Sequence, residues 1–290
     1  MADMLWLKLV TSFLAALQTQ FPQPAKDAAP APAPQAAVLA DKDATSKLSA
    51  DALLTRLEKS DANLTTIQAE MLYDKTMVIA GDQQIRAGKL YFQNSSDAKS
   101  GEKHRSFAIH FDTLQLGKRI NQKQQQYIFD GEWLIEKLVA EKQIIKRQVV
   151  QPGQKFDPLK IGEGPLPIPI GQKKDDINAR YDVTLVDAID GLNDPAQIAF
   201  ATGSWQLKLI PKEGADRNFK EIRLWYREES DLEGKPLLPR MSRTIGSDDD
   251  IALVQLINMK VNKPLPAGVL DAAPPDATWA VDVRPFRQPG

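Results

Sequence analysis

The stretch Arg105-Ser-Phe-Ala-Ile-His-Phe111 alternates apolar and polar residues, which is typical of a β-strand with one buried face. Phe107, Ile109 and Phe111 share the apolar face, and Arg105 stands on that same face. A charge on an apolar face costs free energy unless it is paired or reaches water. The pattern leaves two interpretations of Arg105: a functional group, or a side chain that extends to solvent from the end of the strand.

The period of two continues along most of the chain. It predicts strands over residues 66–78, 85–93, 105–112, 119–129, 132–139, 143–150, 181–187, 204–211, 219–228, 238–246 and 251–261. Turn residues separate these segments, and Asp130-Gly131 is a strong two-residue hairpin signal. Amphipathic spacing predicts a helix over 49–64 with Ser49 as its N-cap, and a charged helix over 172–180.

No helix alternates with the strands, so a doubly wound sheet is excluded. We predict a mainly β (α+β) fold: one curved antiparallel sheet of about eleven strands that forms an incomplete half-barrel, with helices covering its concave mouth. The number of strands also permits a closed barrel. If the barrel is open, the proline-punctuated segment 165–170 and the first helix are candidates to plug it.

Four segments are expected along the 290 residues. Residues 1–21 contain a short apolar run, 6–17, which predicts a signal or targeting segment; an uncleaved anchor or a disordered start is the alternative. Residues 22–46 are rich in proline and alanine and predict an extended linker. The folded domain is expected over 47–276, followed by a C-terminal tail over 277–290.

Composition excludes several classes of function. The net charge of −1 argues against nucleic-acid binding, and the absence of cysteine excludes disulfides, thiolate metal sites and a lipid-modified N-terminal cysteine. His104 and His110 are six residues apart, about 20 Å along a strand, which is too far for a metal or catalytic pair. Asp248-Asp-Asp250 predicts a hairpin turn, with a weak Ca²⁺ site as the alternative. We therefore expect no catalysis, no metal and no cofactor.

The apolar faces of the strands are either a packed core or the lining of a lipid cavity, and composition does not separate the two. The candidate lining residues are Leu90, Phe92, Phe107, Ile109, Phe111, Trp133, Trp205, Leu207, Leu224, Leu253 and Ile257.

Five motifs in order resemble the periplasmic outer-membrane lipoprotein carrier superfamily, the LolA-like and LolB-like proteins, over residues 48–276. They are Gly88-Lys-Leu-Tyr-Phe92, the strand with Arg105, Asp130-Gly-Glu-Trp133, Trp205-Gln-Leu-Lys-Leu-Ile-Pro-Lys212 and Leu256-Ile-Asn-Met-Lys-Val-Asn262. The resemblance implies a half-barrel around an apolar cavity for acyl chains, in which Arg105 holds a helical lid until cargo releases it. A guanidinium suits this role because it offers five donors to free carbonyl groups.

The resemblance also implies partners and a location. The expected cargo is an acylated lipoprotein or another lipid, and the expected partners are an inner-membrane release machinery and an outer-membrane acceptor. Because an anchored receptor of this fold needs an acylated N-terminal cysteine, the cysteine-free chain fits a soluble periplasmic shuttle, expected as a monomer. The alternative is a lipid- or lipoprotein-sensing regulator of the cell envelope on the same fold.

Overall fold

The structure is a computed structural model, and it describes residues 48–96, 103–150, 170, 173–215, 218–229 and 235–286. The strands in this part of the chain are β1 (Thr66–Met77), β2 (Asp82–Ser96), β3 (Lys103–Leu116), β4 (Arg119–Phe129), β5 (Trp133–Leu138), β6 (Gln143–Gln148), β7 (Tyr181–Val186), β8 (Trp205–Pro211), β9 (Phe219–Glu228), β10 (Leu237–Gly246), β11 (Ile251–Val261) and β12 (Ala280–Arg284). The helices are α1 (Ala50–Ala62), α2 (Lys174–Arg180) and α3 (Pro195–Ala201).

The twelve strands form one open sheet in the order β12-β6-β5-β4-β3-β2-β1-β11-β10-β9-β8-β7. Strands β1 to β6 and β7 to β11 are two meanders, and the antiparallel pairing of β1 with β11 joins them, with Met71 opposite Leu256. Every neighbouring pair is antiparallel except β12 and β6. The predicted mainly β fold with a single, largely antiparallel sheet is confirmed.

The strand β12 corrects the predicted tail. Residues 277–290 were expected outside the sheet, but Ala280–Arg284 pairs in parallel with β6, with Val281 opposite Ile144. The strand is only five residues long and lies mostly exposed at the edge of the sheet, so it has no buried face to produce an alternating pattern.

Local sequence sets the ends of the helices. Ser49 Oγ accepts a hydrogen bond from the backbone N–H of Ala52 at 3.1 Å, which confirms the predicted start of α1. The helix α3 was not predicted. Asp194 caps it by accepting from the N–H groups of Ala196 and Gln197, and Pro195 occupies its first turn. This Asp-Pro start was a readable signal.

The two faces of the sheet carry separate apolar clusters. The helix-side face, on which α1 packs, carries cluster A, made of Leu64, Ile67, Ala69, Met71, Leu90, Phe92, Phe107, Ile109, Phe111, Phe129, Val150, Ile170, Leu238, Val254, Leu256 and Val261. It also carries cluster B, made of Leu53, Leu54, Leu57, Ile177, Tyr181, Leu207, Leu209, Ile222, Leu224, Tyr226 and Leu237. The opposite face carries cluster C around Ile135 and cluster D around Trp225.

An irregularity in the pairing of β2 with β3 explains one glycine of the sequence motifs. The register of β2 and β3 shifts between Ala87 and Gly88, where the backbone of His110 approaches closely. A methyl group on Gly88 would overlap the carbonyl group of His110. Only glycine therefore fits this crossing without a shift of the backbone.

Several predictions fall outside the described residues. They are the targeting segment 1–21, the linker 22–46 and the proline-punctuated segment, of which Ile170 alone is described.

Candidate functional site

Cluster A is a broad apolar surface that spans both meanders. Its members come from β1, β2, β3, β4, β10 and β11, and Phe107 stacks on Phe129 with ring centroids 5.8 Å apart. From outside the strands, the described residues Leu64, Val150 and Ile170 are buried members, and Val149 packs against the cluster. Val150 and Ile170 stand on either side of residues 151–169. No described helix lies across cluster A, so the sheet itself supplies most of the surface.

Cluster B is covered differently, because α1 buries Leu53, Leu54 and Leu57 against it. Polar contacts hold this helix in place. Arg56 pairs with Glu228 at 2.7 Å, and Ser60 Oγ accepts from the N–H of Leu237 at 3.0 Å. Three buried leucines and these contacts make α1 an integral part of the core.

One end of cluster A meets the connection between α1 and β1. Arg105 is partly buried there and lies opposite Asn94 in the pairing of β2 and β3. Asn94 in turn donates from Nδ2 to the carbonyl oxygen of Leu64 at 3.3 Å, and from its backbone N–H to that of Thr65 at 2.7 Å. Arg105 therefore lies on the strand next to Asn94, the residue that is hydrogen-bonded to the connection between α1 and β1.

The other end of cluster A meets a row of polar side chains. This polar belt consists of Arg86, Gln125, Tyr127, Glu136 and Arg147. Arg86 donates to Gln125 Oε1, and Gln125 Nε2 donates to Tyr127 Oη and to Glu136 Oε1, both at 2.7 Å. Tyr127 donates to Glu136 at 3.3 Å, and Arg147 pairs with the same carboxylate at 3.1 Å.

The belt touches cluster A through the ring of Phe111. The guanidinium carbon of Arg86 lies 5.7 Å from the centre of that ring. The ring of Tyr127 meets it at 6.3 Å, and that of Tyr73 at 6.2 Å. A molecule lying on cluster A can therefore reach the belt without leaving the helix-side face.

Burial raises the pKa of both phenol groups at this end. Desolvation by burial, together with the charge of Glu136, raises the pKa of Tyr127 to about 12. Burial also raises the pKa of Tyr73, although the positive charge of Arg86 opposes this rise. Both hydroxyl groups remain hydrogen-bond donors at neutral pH.

A shallow cleft borders cluster A beside the end of α1. It has a volume of about 220 Å³ and is lined by Lys59, Ser60, Asn63, Leu64, Pro236, Val261 and Asn262. Leu64 and Val261 belong to cluster A, so two members of the apolar cluster line this cleft.

The structure divides the predicted lining residues into three groups. Leu90, Phe92, Phe107, Ile109 and Phe111 meet in cluster A. Trp205, Leu207 and Leu224 lie under α1 in cluster B, on the same face. Their contact with a lipid stays a prediction.

Trp133, Leu253 and Ile257 do not lie with the others, which corrects their expected place. Trp133 packs in cluster C and Leu253 in cluster D, both on the opposite face. Ile257 pairs with Glu70, which is also on the opposite face. The pairing of β1 with β11 contains a bulge with one extra residue in β11, since Gln68 lies opposite Lys260 but Glu70 opposite Ile257. Asn258 in this stretch has a φ of 51°, and the bulge reverses the alternation, so Met259 and Val261 lie with cluster A instead.

Among the other polar groups considered in the sequence, Asp250 and His110 have structural partners. Asp250 pairs with Lys75 at 3.3 Å in the turn between β10 and β11. His104 is exposed, whereas His110 meets the ring of Tyr91 at 5.3 Å on the opposite face. Burial lowers the pKa of His110.

Two classes of site are not found in the described part of the chain. Its His, Asp and Glu side chains form no group of three that could hold a metal ion. None of its helices combines the length and apolarity needed to cross a bilayer.

Sequence reasoning missed the polar belt. Its members were each assigned to a strand, but they lie on four different strands and meet only through the register of β2 to β6. The available signal was a polar residue on an apolar face, as at Gln125 beside Tyr127 and Phe129.

No protein-family model matches the chain, and no curated protein matches it in sequence. Solved structures do match. An uncharacterized conserved protein from Thermus thermophilus is 15% identical with a TM-score of 0.41, covering 80% of this chain and 97% of the other. A putative outer membrane lipoprotein-sorting protein domain from Vibrio parahaemolyticus is 9% identical with a TM-score of 0.37, covering 75% and 95%. A LolA superfamily protein from Nitrosomonas europaea is 10% identical with a TM-score of 0.35, covering 77% and 97%.

Of these three, the Nitrosomonas europaea protein is named for the LolA superfamily, to which the sequence motifs also bear a resemblance. The identities are far below those that transfer function, and all three TM-scores are below 0.5. The three matches therefore carry no function over to this chain.

Proposed function

We propose that the protein is a periplasmic carrier that binds the acyl chains of a lipoprotein, or of another lipid, on cluster A and moves them between membranes. The observation that carries the proposal is the extent of cluster A and the polar groups at its ends. Its apolar side chains come from strands of both meanders, and the polar belt lies at one end and the connection between α1 and β1 at the other.

An acyl chain is a suitable occupant because cluster A would then exchange one apolar neighbour for another. Each methylene group that leaves water contributes about 0.8 kcal/mol. A chain that displaces the side chain of Ile170 would keep the cluster buried, while the sheet beneath it stays paired. The cleft beside Leu64 gives such a chain a route to cluster A.

Arg105 is the proposed control point of this route. It lies opposite Asn94, which bonds the connection between α1 and β1. A guanidinium at this place can hold carbonyl groups of that connection in the cargo-free state. Cargo that shifts the connection would break these bonds and so alter the rate of release.

The test begins with the protein purified from its native envelope, followed by mass spectrometry of extracted ligands. We expect acyl-chain lipid or an acylated peptide in about stoichiometric amount. The purified protein should then transfer a fluorescent lipid from donor to acceptor vesicles.

Two results contradict parts of the proposal. If the protein neither contains lipid nor binds a fluorescent fatty acid, the lipid-binding function is wrong. Binding without any transfer to acceptor vesicles contradicts the carrier role and favours the sensing regulator.

A further inference from the structure

The polar belt is unusual because it lies on the face of the sheet that is otherwise apolar. Gln125 is 6% exposed and lies on the same face of β4 as Tyr127 and Phe129. Polar groups in such a place cost free energy unless they are hydrogen-bonded. Every member of the polar belt makes at least one hydrogen bond to another member. The chain maintains this network across β2, β4, β5 and β6, directly beside the apolar surface.

The belt holds two guanidinium groups and one carboxylate, so its formal charge is positive. The side chain of Glu136 is 14% exposed and receives Arg147, Gln125 and Tyr127. Arg86 donates to the neutral amide of Gln125 and stands over the ring of Phe111. Within the belt, the charge of Arg86 therefore has no directly bonded anion, and partial burial makes an added anion more favourable than it would be in water.

We propose that the polar belt binds the anionic head group, a carboxylate or a phosphate, of an amphipathic ligand whose acyl chain lies on cluster A. The inference rests on the proposed function and specifies the chemical class of its ligand. Phe111 belongs to cluster A and contacts Arg86, so the first methylene groups of the chain meet the apolar surface where the head group meets the guanidinium. Arginine is suited to this contact because its fork of N–H donors matches the oxygens of both head groups.

Displacement of the neutral dye Nile red from the full chain at pH 8 tests the inference. The competitors are tetradecanoic acid, tetradecyl phosphate and tetradecanol, which share one chain and differ only in the head group. Carboxylic acids of ordinary pKa are ionised at this pH. We expect at least one anionic competitor to displace the dye at about tenfold lower concentration than the alcohol, because a charge-assisted hydrogen bond is stronger than a neutral one. The better anion identifies a carboxylate or a phosphate as the preferred head group.

Variants test whether the preference for an anionic head group comes from the polar belt. Arg86→Gln should remove the preference for the anion while displacement by the alcohol stays unchanged, and Arg86→Lys should retain part of it. Arg119→Gln is the matched control, because Arg119 is exposed on β4 outside the belt. Arg147→Gln is a second variant at a side chain that is 39% exposed, and it should reduce the preference by the loss of one positive charge.

The outcomes separate the two proposals. Equal displacement by all three competitors in the wild type overturns the head-group site and leaves lipid binding standing. A wild-type preference that survives both Arg86→Gln and Arg147→Gln also overturns the assignment to the belt. If the dye and all competitors fail to bind, the proposed function is wrong, and the head-group site with it.

Discussion

Clusters A and B lie on the same face of one sheet, yet they are built in different ways. In cluster B, α1 supplies three buried leucines and is tied down by Arg56 and Ser60. In cluster A, the members come from strands of both meanders, and polar groups stand at both ends. A helix that is tied down over its cluster contributes to stability, whereas the proposed function requires cluster A to receive a ligand. The comparison therefore predicts the larger loss of stability at cluster B and the larger effect on ligand binding at cluster A.

The largest effect is expected at the helix over cluster B. Leu54 is 2% exposed, and Leu54→Ala should lower the free energy of unfolding by about 3 kcal/mol through lost burial and the cavity left behind. Urea unfolding followed by circular dichroism measures the change. Leu116→Ala is the control, since Leu116 is 40% exposed and should cost little. Equal stability of Leu54→Ala and the wild type would contradict the view that α1 is part of the core.

A smaller effect is expected at the end of cluster A that holds Arg105. If Arg105 holds the connection between α1 and β1 as proposed, Arg105→Leu should remove those bonds, at a net change on the order of 1–3 kcal/mol, and leave the fold intact. The fluorescent lipid should still bind, with a dissociation rate or a transfer rate changed by about tenfold. If the variant binds and releases lipid like the wild type, Arg105 only extends to solvent.

A further effect is expected at Ile170, which packs in cluster A. If an acyl chain takes the place of Ile170, as proposed, Ile170→Ala should tighten binding of a fluorescent fatty acid by about fivefold, which corresponds to about 1 kcal/mol. Because Ile170 is 1% exposed, the free energy of unfolding should also fall, by about 2 kcal/mol, through lost burial. Weaker binding by this variant would show that Ile170 is part of the site and not its competitor.

The smallest effect concerns pH at the polar end of cluster A. The folded protein raises the pKa of Tyr127 to about 12, above the ordinary value of 10.0, so the folded state binds this proton more tightly than the unfolded state does. The stabilisation is complete below pH 10 and is lost as the pH rises toward 12. Tyr127→Phe should therefore reduce the dependence of the unfolding free energy on pH in this range. Denaturant unfolding at pH 9 to 12 measures it, and an unchanged slope would contradict the assigned pKa.

The sequence predicted what depends on neighbours along the chain. Strand bounds over 119–129, 219–228 and 251–261 agree with β4, β9 and β11, because alternation and turn residues are local signals. The N-cap at Ser49 was readable for the same reason. The short edge strand β12 was not, because its residues are exposed and the segment before it decides where it pairs.

Two placements of predicted site residues failed for physical reasons. β5 is apolar on both faces, with Leu134 packed against cluster A and Trp133 in cluster C, so its pattern does not tell which face is which. In β11, the irregularity at Asn258 reverses the alternation and separates Ile257 from Val261. Such a shift depends on pairing with another strand and leaves little trace in the sequence.

The sequence by itself determined the class of fold, the order of the strands along the chain and the apolar residues that form the faces, because period and turn chemistry act over a few residues. Only the tertiary structure decided which of those residues meet. The pairing of β1 with β11 joins the two meanders into one face, and the register of β2 to β6 aligns Arg86, Gln125 and Glu136. Register couples residues far apart in the chain, so the polar belt exists only once the sheet has formed.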